Sequence, residues 1–139
     1  MNSHSLIHRE KQILHIFSTL KSKKNISKYL IYVGKKINYS PFFLNKNNLL
    51  SGCQTKIWLF FFYKKKYLFI LSYSDSIIIR ALTFFLTKIY SNNLPLNIIN
   101  YSSVLLKNKI LKSFFSNQKN NALQIIINRI RYQAVKSLI

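Results

Sequence analysis

The chain has 139 residues, 49% of them hydrophobic, which is enough for one domain over residues 1–139 and excludes a disordered tail. A single cysteine, Cys53, excludes an internal disulfide framework, and no apolar run reaches the length of a membrane span. Lys and Arg number 22 against two acids, Glu10 and Asp75, for a formal net charge of +20. In chain order, apolar residues at helical spacing predict a helix over residues 8–20, with Ile13, Leu14, Phe17 and Leu20 on one side. A second helix is expected over residues 27–37 from Ile26, Leu30, Val33 and Ile37, although Gly34 weakens it. Ser40-Pro41 breaks the pattern, and residues 45–48 read as a polar loop.

Leu49 and Leu50 read as a short strand that leads into the loop carrying Cys53. Residues 57–63 are a continuous aromatic and aliphatic run, which suits a buried strand. Lys64-Lys65-Lys66 forms a charged turn, and residues 67–71 return as the second strand of a hairpin. Ser74 and Asp75 offer an N-cap and a first-turn negative charge for a helix that runs to about Tyr90. That helix is apolar on most sides and should lie deep in the core, closed by Asn92-Asn93-Leu94-Pro95. Short helices are expected over residues 97–101 and 104–114, and an amphipathic helix over 120–137. Its inward residues are Leu123, Ile126, Ile127, Ile130 and Ala134, with Asn128, Arg129, Arg131 and Lys136 turned away. Helices, a small antiparallel sheet and further helices define an α+β fold.

The charge has two readings. Taken alone, +20 suggests an anionic partner such as nucleic acid. Against that, Lys, Asn, Ile, Phe and Tyr, all encoded by AT-rich codons, make up more than half of the chain, while Gly and Pro number 2 each. The lysines are spread along the whole sequence instead of being gathered on one element, so compositional drift ranks above nucleic-acid binding. Trp58 and its aromatic neighbours could stack single-stranded bases, but a buried strand ranks higher. His4 and His8 are four residues apart, as metal ligands on a helix are, yet no carboxylate lies near them, and a solvated terminus is the expectation. The N-terminus has no apolar signal region, so a cytoplasmic protein is expected.

The remaining feature is Cys53 in Gly52-Cys53-Gln54-Thr55-Lys56-Ile57-Trp58. A lone cysteine is most often a small buried hydrophobe. These residues, however, resemble the Gly-Cys-Gln-Ser-x-Val-Trp signature of the SufE family. Ser74-Asp75-Ser76-Ile77-Ile78-Ile79-Arg80-Ala81-Leu82 resembles that family's Ser-Asp-Ala-x-Ile-Val-x-Gly-Leu helix start, with Ala81 in place of a glycine. Pro41 and Ile130-Arg131-Tyr132-Gln133-Ala134 extend the likeness over almost the whole chain. The resemblance implies a SufE/NifU-like fold and a sulfur acceptor whose Cys53 carries a persulfide. It implies a PLP-dependent, SufS-like cysteine desulfurase as donor, which this chain would stimulate, and a SufBCD-like iron–sulfur scaffold as recipient. No cofactor or metal is expected on this chain, because the PLP belongs to the partner; self-pairing is left open. Gly52, Gln54, Asp75 and Lys119 are the candidate loop and partner contacts. Lys119 stands where the family often has an arginine, with Ala122 in place of a following glycine, so it keeps the charge and loses the guanidinium fork. The alternatives are a small basic nucleic-acid-binding module and a single-thiol redox sensor.

Overall fold

A computed structural model describes residues 3–37, 41–115 and 122–139. Within them, α1 (Ser3–Leu20) and α2 (Lys23–Lys36) precede a hairpin of β1 (Ile57–Lys64) and β2 (Tyr67–Ser74). The chain continues as α3 (Ile77–Tyr90), α4 (Pro95–Asn100), α5 (Lys109–Phe115) and α6 (Ala122–Lys136). The architecture is the expected α+β, a two-stranded antiparallel sheet with helices packed on it.

Helix α1 starts earlier than its periodicity suggests, because Leu6 is fully buried and extends the stripe of Ile13 and Phe17. His4 and His8 therefore lie within a helix, with His8 exposed to solvent as expected. Lys21, at φ 69°, ends the helix in the left-handed region, and the Ser22 side chain accepts from the Asn25 N–H at 3.1 Å to cap α2. Gly34, the residue that weakens the second helix as a prediction, is where α2 meets α3. A Cβ at Gly34 would lie 2.3 Å from the Ile77 carbonyl oxygen. The two backbones touch there, and only a residue without a side chain fits.

The hairpin register runs from Ile57 opposite Ser74 to Lys64 opposite Tyr67, so the turn is Lys65-Lys66, with Lys65 at φ 59°. Ile57, Leu59, Leu68 and Ile70 point into the core. Trp58, Phe60, Phe62, Phe69, Leu71 and Tyr73 occupy the opposite face, which is half-buried or exposed. The strand expected to be buried throughout is thus buried on one face only. Aromatic side chains on both faces hide the alternation that marks such a strand.

Three further boundaries differ from expectation. Pro95 does not close the preceding helix but opens α4 at its first turn, where a missing N–H costs nothing. The expected helix over 104–114 is split into a 3₁₀ turn (Leu105–Lys107) and α5, because Asn108 Oδ1 accepts from the Leu111 N–H at 2.9 Å and starts a new helix. The cap of α3 is Ser76, whose Oγ accepts from the Ile79 N–H, and not Ser74 or Asp75.

Glu10 sits in the buried stripe of α1 at 1% exposure. Its carboxylate accepts from the Ser103 hydroxyl at 2.9 Å, the Val104 N–H at 2.7 Å, the Leu105 N–H at 3.0 Å, and the Tyr101 hydroxyl. A buried carboxylate is tolerated only when its lone pairs are satisfied, and here four donors satisfy them. Burial and this carboxylate together raise the Tyr101 phenol above its ordinary pKa.

Two substitutions test these contacts. Gly34→Ala should destabilise the fold by about 1–3 kcal/mol in urea unfolding, since overpacking outweighs the ~1 kcal/mol helix-propensity gain. Glu10→Gln places an amide donor among donors and should cost about 1.5–3 kcal/mol by the same measurement.

Candidate functional site around Cys53

Residues 51–56 form a loop held at both feet. On one side the Leu50 N–H donates to the Ile57 carbonyl at 2.9 Å, and Leu49 makes an isolated bridge to Trp58. The short strand expected at Leu49-Leu50 is therefore a single bridged residue. On the other side the Ser74 hydroxyl donates to the Lys56 carbonyl at 2.8 Å, while its Oγ accepts from the Ser76 N–H at 3.3 Å. Ser74 is fully buried, so this pair of bonds ties the loop to the start of α3 away from competing water. At the tip, Gly52 adopts φ 83°, a conformation that costs an L side chain about 1–2 kcal/mol.

Cys53 follows that turn and is half-buried, packed against the core. It borders a pocket of about 310 Å³ with Gln54, Thr55, Ser76, Ser113 and Phe114 among its walls. The lining mixes hydroxyls with apolar surface. Burial raises the Cys53 thiol above its ordinary pKa, because the thiolate is the form that loses hydration. The first turn of α3 also borders the pocket, and a helix N-terminus favours an anion. Desolvation wins at rest, so at neutral pH the group is a thiol.

The structure brings some candidates together and not others. Gly52 and Gln54 flank Cys53, with Gln54 exposed and on the pocket wall. Asp75 is exposed, one residue before the Ser76 cap, and does not border the pocket. Lys119 lies outside the described residues. Trp58 faces the outer side of the sheet. Ser76, Ser113 and Phe114 are wall residues that the sequence does not single out. Ser76 could have been found from the Ser-x-Ser spacing, which lets one serine hold a loop and the next cap a helix; nothing in the sequence marks Ser113 or Phe114. Among the described residues, no group of three or more His, Cys, Asp or Glu could hold a metal ion, and no helix is long and apolar enough to cross a membrane.

What fold and site define together is an α+β protein with one thiol on a pinned loop beside a helix start. The SufE family profile, described as an Fe-S metabolism associated domain, matches residues 11–134, and the chain belongs to that family. Its role accordingly lies in Fe–S metabolism. Among solved structures, the solution structure of a hypothetical protein from Thermus thermophilus is similar, with a TM-score of 0.69, 17% identity, and coverage of 94% of this chain and 96% of that one. At that identity the likeness is one of fold. No curated protein matches.

The raised thiol pKa predicts the pH dependence of alkylation. The thiolate is the reacting form, so the rate midpoint with iodoacetamide should lie at higher pH in the folded protein than in the urea-unfolded chain. Equal midpoints would refute the desolvation of Cys53. Gly52→Ala should lower stability by about 1–2 kcal/mol and move the folded midpoint toward the unfolded one, as the loop leaves its pocket.

Proposed function

We propose that this chain is a sulfur acceptor that takes a sulfane sulfur onto Cys53 from the persulfide of a PLP-dependent cysteine desulfurase, stimulates that enzyme and passes the sulfur to an iron–sulfur scaffold. The observation that carries this reading is a single thiol, half-buried in a small pocket at the tip of a loop with two fixed feet. Family membership sets the metabolic context, and the sequence around Cys53 supports the role.

The step is an exchange at sulfur. The Cys53 thiolate attacks the outer sulfur of the partner's persulfide. The bond between the partner's two sulfurs breaks, a bond between Cys53 Sγ and the outer sulfur forms, and the electron pair leaves on the partner's cysteine. One S–S bond replaces another, so neither oxidant nor reductant is consumed. Cys53 must first lose its proton. Burial opposes that at rest, and moving the loop out toward the partner removes the opposition. Gly52 gives the tip freedom for that movement, while Ser74 and Leu50 keep the feet in place. Loading is thereby coupled to docking. The chain has no second thiol to discharge the persulfide as an internal disulfide.

Intact-mass measurement tests the proposal. Incubation with its desulfurase and cysteine should add one sulfur atom to the wild-type chain and none to Cys53→Ser. A wild-type chain that stays unloaded under turnover would sink it.

A further inference from the structure

The outer face of the hairpin is an apolar surface that the Cys53 chemistry does not use. Trp58 pairs with Tyr73, Phe60 with Leu71, and Phe62 with Phe69 across the strands, and Phe42 and Phe43 lie against Phe60. Phe42 is 78% exposed, Leu71 38% and Phe62 36%. Contiguous exposed apolar surface of this kind marks an interaction site. The exposed Lys64, Lys65 and Lys66 form the hairpin tip beside it, with Lys56 exposed at its base, and the Arg80 guanidinium lies 4.3 Å from the Tyr73 ring centre. Of the two acids in the sequence, Glu10 is buried and Asp75 alone is exposed.

We infer that this face docks an acidic protein segment carrying apolar side chains. Charge decides against a second copy of the chain, because two molecules of net charge +20 repel when brought face to face. Ring packing decides against single-stranded nucleic acid. Phe43 and Phe60 stack with centroids 5.7 Å apart and planes 15° apart, and Phe62 and Phe69 at 5.2 Å and 14°. Phe60 and Phe62 are themselves 6.1 Å apart. Phe60 and Phe62 each give one face to a neighbouring ring and Tyr73 gives one to Arg80, which leaves fewer of the open faces that base stacking needs. Aliphatic side chains and carboxylates suit what remains, since ring edges carry the positive end of the quadrupole and lysines rim the patch. The inference stands apart from the sulfur-transfer reading and needs no thiol.

Trp58 is the only tryptophan and sits on this face, so its fluorescence reports on occupancy. The full chain is titrated with a synthetic peptide of about twelve alternating Glu and Leu residues, the length of an extended recognition segment. A saturable change in emission is expected. Binding should weaken by about tenfold in the double variant Phe42→Ser, Phe62→Ser, which keeps every charge. Leu71→Ser gives an independent test on the same face, and far-UV circular dichroism verifies that both variants fold. The inference is overturned if either folded variant binds as tightly as wild type, which makes the attraction one of charge alone. It is equally overturned if an alternating Lys and Leu peptide binds as well, if oligothymidylate binds more tightly through the same residues, or if sedimentation shows the chain pairing through this face.

Discussion

The Arg80 guanidinium is the junction on which the candidate site rests. Its Nε donates to the Ser74 carbonyl at 2.8 Å, and Nη1 donates to the Ile37 carbonyl at 2.9 Å and the Gly34 carbonyl at 3.4 Å. One side chain on α3 thus holds the end of β2 and two carbonyls at the end of α2, of which Gly34 also accepts the Ile37 N–H at 3.1 Å. Charge-assisted bonds of this kind contribute about 1.5–3 kcal/mol each when partly buried. The consequence reaches the thiol in two steps, since Ser74 in turn holds Lys56 at the foot of the cysteine loop. Gly34 completes the junction. Its missing side chain lets α2 approach α3 closely enough for the guanidinium to span both.

Half-burial of Cys53 is a compromise that follows from where these anchors act. They fix the loop at Leu50 and Lys56 and leave its tip to Gly52. For the proposed sulfur transfer that placement matters: a fully exposed persulfide would meet any small thiol in solution and be discharged, and a fully buried one could not be loaded by another protein. A thiol that rests in a pocket and titrates high because of it is a weaker nucleophile at neutral pH than one in water, so the proposed loading depends on the loop being drawn out. The wall beside it combines the hydroxyl-bearing Thr55, Ser76 and Ser113 with the Phe114 ring.

Much of this is legible in the sequence, and the reasons for the exceptions are physical. The helices come from helical spacing and the hairpin from two short aromatic and aliphatic runs about a lysine turn, and together they give the α+β class. Cys53 is legible because Gly-Cys-Gln is a local pattern with a local backbone requirement. Its pocket is not, because Ser113 and Phe114 come from α5, far along the chain, and no local pattern marks them. In the sequence Glu10 is only one of two acids; its four donors lie more than ninety residues away, and their convergence is a property of packing. The exposure of the Trp58 face is hidden because a strand with aromatic residues on both faces does not announce which face is wet. The expected Ser74-Asp75 cap falls short of the true one because Ser74, Asp75 and Ser76 are all good caps, and only the hydrogen bond to Lys56 assigns Ser74 elsewhere.

The positions of the cations bear on the charge itself. All four arginines are half-buried, and three of them serve carbonyls at helix ends. Arg80 does so for α2; Arg9 Nη1 donates to the carbonyls of Lys88, Ile89 and Ser91 at the end of α3, the last at 2.6 Å; and Arg131 Nη2 donates to the Ile99 carbonyl near the end of α4 at 3.0 Å. The fourth, Arg129, lies over the Phe61 and Tyr132 rings. The described lysines, by contrast, are exposed apart from Lys112. A guanidinium can reach several carbonyls in one plane and stack on a ring, and an ammonium cannot do both. Arginine stands where several carbonyls are reached at once, and those exposed lysines make at most a single ring contact, as Lys23, Lys36 and Lys88 do. Most of the +20 charge is therefore carried by lysines in contact with solvent, while the arginine charges are held against carbonyls and rings.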